Sequence, residues 1–413
     1  MNLERMLFYD NIRNDENVVK AVNIIENGNS TAHADRKKAE VDYYELQRRL
    51  LREVRFGDPD LTFWQNYVAG LVADSENSFS LAAEKGEPDE LTMSLAEGDA
   101  AEIIQLMNLD WSTASPRMHD DRPCVCMLKA PVKEDGRASV VAEALAYEPS
   151  EAIRKLAVYY RKKMCGELGR YNAFVWNGYL RGIEYPDPIT FDDLIGYKTQ
   201  QEQLIGNTET FLGGGRANNV LLYGDKGTGK SSSVKALLNK FADDGLRLIS
   251  LPKDRILEIN EVMNRVSDRG CKCIIFIDDL SFEASELQYK KFKSVLEGGI
   301  EVQPANVLVY VTSNRRNLVK EMWSDRGDSG EVHARDGMEE RQSLADRFGL
   351  TITFSAPDKK LYEEIVRSVA KKEGVDMDEE TLLKEAVKWD ARQTGRSGRS
   401  ARQFVTHIAG KKS

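Results

Sequence analysis

The sequence predicts an α/β domain built on a parallel sheet, set between a mainly helical N-terminal region and a small helical C-terminal one. Three observations lead there. From residue 183 to residue 356 short β-branched runs alternate with helical patterns, the texture of a sheet covered on both faces. A glycine-rich turn, Gly224 to Ser231, joins one of those runs to a helix opening. On either side of this stretch, before Tyr185-Pro186-Asp187-Pro188 and after Pro357, apolar residues recur mainly at helical spacing.

A chain of 413 residues is long for one core, and the pattern divides it into residues 1–182, 183–356 and 357–413. Apolar content of 41% and charged content of 30% are those of ordinary soluble domains. No apolar run is long enough to span a bilayer. The start, Met-Asn-Leu-Glu-Arg, lacks the basic and apolar regions of a secretory leader. The expected location is cytoplasmic, with no membrane partner. A formal charge of -9 argues against non-specific attraction of the whole chain to nucleic acid. The five cysteines include Cys124-x-Cys126 and Cys271-x-Cys273, neither with the two-residue gap of a zinc knuckle, so a reducing compartment is expected and no metal–thiolate site.

In the N-terminal region Glu40 to Phe56, Leu61 to Ala83 and Glu90 to Leu109 each carry one apolar helical stripe. Cys124 to Ala130 and Ser139 to Ala146 read as short strands or a hairpin around Glu134-Asp135-Gly136. Pro149 opens a helical pattern running towards Val175. Two readings stand side by side for this region: a partner-binding module, or a scaffold packed on the rest.

Five apolar runs follow the double proline: Asn219–Tyr223, Leu246–Leu251, Cys271–Ile277, Val307–Thr312 and Leu350–Phe354. The first leads into Gly224, Asp225, Lys226, Gly227, Thr228, Gly229, Lys230, Ser231 and Ser232. Glycines at these positions let successive backbone N–H groups point into one anion-sized concavity at a helix N-terminus. This is a phosphate cradle of the Walker A type, in which Lys230 reaches the β- and γ-phosphates and the Ser231 hydroxyl joins a Mg²⁺ shell. The third run ends in Asp278-Asp279. Asp278 is then placed to hold Mg²⁺ beside Ser231, and Asp279, or Glu283 one helical turn on, to polarise an attacking water; helix capping is the plainer reading of the second acid.

The fourth run ends at Asn314, a neutral group suited to orienting that water, or to closing the strand with an Asx-turn. Ser324 to Gln342 is polar, without apolar period, and reads as a loop. Arg347 follows it and precedes the last run, from where a guanidinium reaches into a neighbouring subunit's nucleotide or pairs with Asp346. Near the C-terminus Arg396, Arg399 and Arg402 recur every three residues. They suit contact with the γ-phosphate from a lid, a nucleic-acid patch, or a solvated basic face.

These motifs, in this order, resemble the AAA+ superfamily of P-loop ATPases from about Phe191 to about Phe404, and within it a group of uncharacterised bacterial ATP-binding proteins catalogued as a domain of unknown function. The resemblance implies a five-stranded parallel sheet of order 5-1-4-3-2 with a helical lid, and ATP with Mg²⁺ bound at a junction of a homo-oligomer. It implies Leu194, Ile195 and Gly196 beside the adenine, Asn314 as first sensor, Arg347 as arginine finger, and Arg399 or Arg402 as second sensor. One departure stands out: many such enzymes carry glutamate where this chain has Asp279. The expected function is ATP hydrolysis coupled to remodelling of a protein or nucleic-acid partner, with ADP as product. The alternative is a nucleotide-gated binding module or loader with negligible hydrolysis.

Overall fold

The computed structural model of the chain describes residues 2–28, 30–86, 88–113, 122–281, 286–297, 302–314, 347–391 and 395–410. It forms two compact units, Met1–Arg170 and Tyr171–Ser413.

The first unit is helical: α1 (Asp10–Arg13), α2 (Glu16–Asn27), α3 (His33–Glu53), α4 (Phe63–Ala73), α5 (Ser78–Lys85), α6 (Glu90–Met107), α7 (Gly136–Leu145), α8 (Pro149–Lys163) and α9 (Gly166–Arg170), with a two-residue parallel bridge between β1 (Phe56–Gly57) and β2 (Lys133–Glu134). Its helices start where capping chemistry allows. Thr62 and Gln65 form a reciprocal capping box at α4, and Asp89 caps α6. Buried Asp99 accepts the backbone N–H groups of Leu7 and Phe8, each at 2.8 Å, which fixes the chain entry onto α6. Trp64 is buried in the core with its indole N–H donating to Leu106 O at 2.8 Å.

Here two sequence expectations give way. Cys124 to Ala130 holds a 3-10 turn, Val125–Met127, and an isolated antiparallel bridge from Lys129 to Thr62 in place of a strand, and Ser139 to Ala146 lies in α7 and its C-cap. The Glu134-Asp135-Gly136 signal marks a helix start instead of a hairpin, because the Asp135 carboxylate accepts Arg137 N at 3.1 Å and caps the first turn. The helix from Pro149 ends at Lys163, where Met164 takes a φ of 65°.

In the second unit seven described strands form one sheet: β3 (Ala173–Trp176), β4 (Leu180–Gly182), β5 (Val220–Gly224), β6 (Leu246–Ser250), β7 (Lys272–Ile277), β8 (Val307–Ser313) and β9 (Leu350–Phe354), in the order β4-β3-β6-β7-β8-β5-β9. All neighbours are parallel except the β3–β4 hairpin. Taken alone, β5 to β9 show the expected order 5-1-4-3-2, read from the other edge. Helices α10 (Lys198–Leu212), α11 (Lys230–Phe241), α12 (Ile259–Val266) and α13 (Glu286–Glu297) connect or flank the strands. The central strands are mainly apolar because both faces are covered: every residue of β8 is buried, and its polar residues, Thr312 and Ser313, fall at the C-terminal end.

The hairpin is the difference. The sheet has seven strands rather than five, and Ala173–Gly182, which the sequence placed in the helical region, pairs with β6. Trp176 and Leu180 flank a three-residue loop in which Gly178 takes a φ of 84°, a turn that only glycine adopts cheaply. The Trp176 indole donates to Glu258 Oε2 at 2.6 Å and ties the hairpin to the segment after β6.

After β9 the described residues form three helices in the region expected as the lid: α14 (Lys359–Lys372), α15 (Glu379–Asp390) and α16 (Gly398–Gly410). Tyr362, Val366, Leu382, Ala386, Phe404 and Val405 make its core.

Candidate active site

The turn from β5 to α11 is shaped by three glycines. Gly224, Gly227 and Gly229 have φ of 137°, 75° and 99°. A Cβ on Gly224 would stand 2.0 Å from Phe354 O, so the loop is pressed against the end of β9 and glycine is required there. Gly229 is the N-cap of α11, and the first N–H groups of that helix face the loop's concavity.

Lys230 is buried, and its ammonium donates to Gly224 O at 2.9 Å, Asp225 O at 2.6 Å and Asn314 Oδ1 at 3.2 Å. Burial lowers its pKa below the ordinary lysine value, against the opposing pull of Asp225, Asp279 and Asp278. Ser231 Oγ donates to Asp278 Oδ1 at 2.5 Å, and Thr312 Oγ1 donates to the same oxygen at 2.6 Å. Asp279 has a φ of 50°, with its N–H donating to Thr312 Oγ1 at 2.9 Å and its carboxylate accepting from Asn314 Nδ2. Lys230, Asn314 and Asp279 therefore form one hydrogen-bonded line at the ends of β5, β7 and β8, beside the Ser231–Asp278 pair. Parallel strands with helical crossovers bring these C-terminal ends to one edge, where ligands bind in such sheets.

A cavity of about 920 Å³ opens at this edge. Its wall includes the loop from Lys226 to Ser233, Asp278, Asp279, Thr312 and Asn314 on one side. Leu194 and Ile195 stand on another, and Arg399, Arg402, Trp389 and His407 approach from the lid. Gly196 has a φ of 80° and packs where a Cβ would meet Leu361 Cδ1 at 2.5 Å. Arg399 N donates to Gly227 O at 3.3 Å, and the charge of Arg399 is felt at Lys230. Arg402 Nη2 donates instead to Asp193 O at 3.0 Å, and the Asp193 carboxylate pairs with Lys372.

Of the residues singled out by sequence, the structure brings together the loop, Ser231, Asp278, Asp279, Asn314, Leu194, Ile195, Arg399 and Arg402. Gly224 and Asp225 lie behind the wall, next to β9. Arg347 is exposed just before Phe348 and outside the cavity lining of this chain. Glu283, together with Arg315, Arg316 and the loop Ser324 to Gln342, lies outside the described residues. Thr312 was missed: its hydroxyl links the two acids, and its position two residues before Asn314 at a strand end was the available signal. Trp389 and His407, whose rings lie 4.9 Å apart, were missed as well, since neither carries a recognisable motif.

The sheet order, the glycine loop entering α11 and the acid pair at the end of β7 define a P-loop protein of the AAA+ class. The chain belongs to the family described as Protein of unknown function (DUF815), which matches residues 169–412. A protein of Arabidopsis thaliana named AAA-ATPase At2g46620 is 30% identical over 152 residues, which cover 35% of this chain and 30% of that relative. The chain thus aligns with less than a third of that curated protein's length. Among solved structures, the RuvB Holliday junction branch migration motor of Thermotoga maritima is 17% identical with a TM-score of 0.37, over 53% of this chain and 63% of that one. A point mutant of the same protein is 15% identical with a TM-score of 0.39, over 55% and 67% of the two chains.

Proposed function

We propose that this protein binds ATP in the cavity at the edge of the sheet and hydrolyses it, with the lid and a neighbouring subunit completing the site. The observation that carries the reading is the line Lys230–Asn314–Asp279 beside the Ser231–Asp278 pair. It sets a cation, a neutral orienting amide and a carboxylate around one anion-sized loop. The Ser231 hydroxyl and the Asp278 carboxylate are hard oxygen donors already in contact, a set that fits Mg²⁺; when bound, the ion would neutralise phosphate charge.

In this reading Lys230 leaves the carbonyls of Gly224 and Asp225 for phosphate oxygens. Asp279 accepts the proton of the attacking water, and Asn314, hydrogen-bonded to it, holds that carboxylate in place. The adenine lies by Leu194 and Ile195. Arg399 is the lid arginine that answers to the γ-phosphate, since Arg402 is held by Asp193 O. Arg347 reaches the nucleotide of the next subunit, and the work done on a protein or nucleic-acid client follows from lid movement.

The test is an ATP titration with Mg²⁺. Wild type is expected to bind, and Lys230→Ala to lose at least about tenfold to a hundredfold in affinity, the worth of charge-assisted hydrogen bonds. Equal affinity in the two proteins would refute the assignment of the loop. Tight binding without phosphate release would favour the gated-switch alternative, in which the Asn314–Asp279 hydrogen bond holds the base idle.

A further inference from the structure

Asp225 is the one acid inside the phosphate loop, and its charge opposes the anion the loop is shaped to bind. Its backbone N–H donates to Phe354 O at 2.9 Å, and its Oδ2 accepts the backbone N–H of Ala356 at 2.6 Å. Ala356 belongs to the short link, Ser355 to Asp358, between β9 and the first lid helix α14. From the other side Tyr197 donates its hydroxyl to Ser355 O at 2.6 Å, and Gln200 Nε2 donates to Thr353 O at 3.2 Å. Burial, then Asp225 and Asp358, push the Tyr197 hydroxyl pKa up to about 12, so it stays a donor at neutral pH. The Asp225 carbonyl, meanwhile, accepts from Lys230 Nζ at 2.6 Å and from Thr228 Oγ1 at 2.8 Å. One residue therefore holds the phosphate-reading lysine by its carbonyl and the lid link by its carboxylate.

We propose that Asp225 is a positioning residue that couples occupancy of the phosphate loop to the angle of the lid. The nucleotide half of this inference rests on the ATP reading above; the restraint on the link does not. With phosphates bound, Lys230 turns from the Asp225 carbonyl towards them, the Asp225 peptide loses one of its bonds, and its side chain carries the change to Ala356. The lid's second attachment is to the same loop, Arg399 N to Gly227 O. The loop is thus met at two points, Asp225 by Ala356 and Gly227 by Arg399.

The test uses the full chain as wild type, Asp225→Ala and Asp225→Asn. Asparagine keeps an acceptor for the Ala356 N–H and removes the charge; alanine removes both. First, hydrogen exchange over residues 354–358 is measured without nucleotide. Exchange at Ala356 is expected to quicken about tenfold in Asp225→Ala, the worth of one hydrogen bond, and to stay near wild type in Asp225→Asn. No change in Asp225→Ala, or equal change in both variants, would overturn the restraint.

Second, spin labels at the exposed positions Lys240 on α11 and Glu380 on α15 report the lid–core distance with and without Mg-ATP, alongside an ATP titration. Wild type and Asp225→Asn should shift on ATP addition. Asp225→Ala should bind ATP at least as tightly, through loss of the opposing charge, yet show no shift, with kcat lowered and KM not raised. A wild-type shift in Asp225→Ala, or ATP binding by wild type without any shift, would overturn the coupling. Failure of wild type to bind ATP would instead overturn the ATP reading and the coupling with it, leaving the exchange result to decide the restraint alone.

Discussion

Asp279, the base of the proposed mechanism, has a backbone conformation uncommon for a residue with a Cβ, a φ of 50°. Aspartate tolerates that region better than most residues, and two hydrogen bonds, to Thr312 and from Asn314, keep it there. Asp279→Asn is expected to leave ATP affinity intact while lowering phosphate release by at least about 100-fold, the worth of a general base. A normal rate would move the base to Glu283, the rival acid in the sequence. Lys230 gives a pH prediction. Its pKa is lowered by burial, so between that lowered value and the ordinary lysine value the unfolded chain binds more protons than the folded one. Stability of the nucleotide-free protein should therefore rise with pH across that window, and denaturation midpoints of Lys230→Met should lose this rise. A slope unchanged by the substitution would show that Lys230 is not its source.

Elements were legible in the sequence to the degree that they repeat a pattern over enough residues. The central runs of the sheet core announced themselves because a strand buried on both faces is apolar along most of its length, as residues 273–277 and 307–311 are. The loop was legible because phosphate binding dictates glycine, lysine and serine at fixed spacing. The hairpin was not: β3 and β4 span four and three residues, too few to show a period, although Asn177-Gly178 carried a turn signal. Asp225 was read as part of the loop, but its tie to Ala356 escaped for a different reason, since it joins positions remote in sequence. The hairpin has a consequence for truncation. Residues 171–413 keep β3 on the edge of β6, whereas residues 183–413 bare that edge. The first fragment should fold as a soluble monomer or oligomer with the affinity of the full chain for ATP. The second should aggregate on purification through its open strand. Equal solubility of the two would show that the hairpin is dispensable to the sheet.

At the scale of the whole molecule, one chain brings the glycine loop, Asp278, Asp279, Asn314 and Arg399 to one cavity, but its Arg347 stands outside that cavity. In the proposed mechanism that guanidinium belongs to the site of a neighbour, where such a group is worth about 10³–10⁵ in rate. The helical first unit has a core of its own that includes Trp64. The most direct measurement is the rate of phosphate release from saturating Mg-ATP over a series of protein concentrations, for wild type and for Arg347→Ala of equal thermal stability. The account predicts a specific rate that rises with concentration in the wild type and stays at least about 100-fold lower in the variant. A rate that is the same in both and independent of concentration, from a chain that remains a monomer, would contradict it.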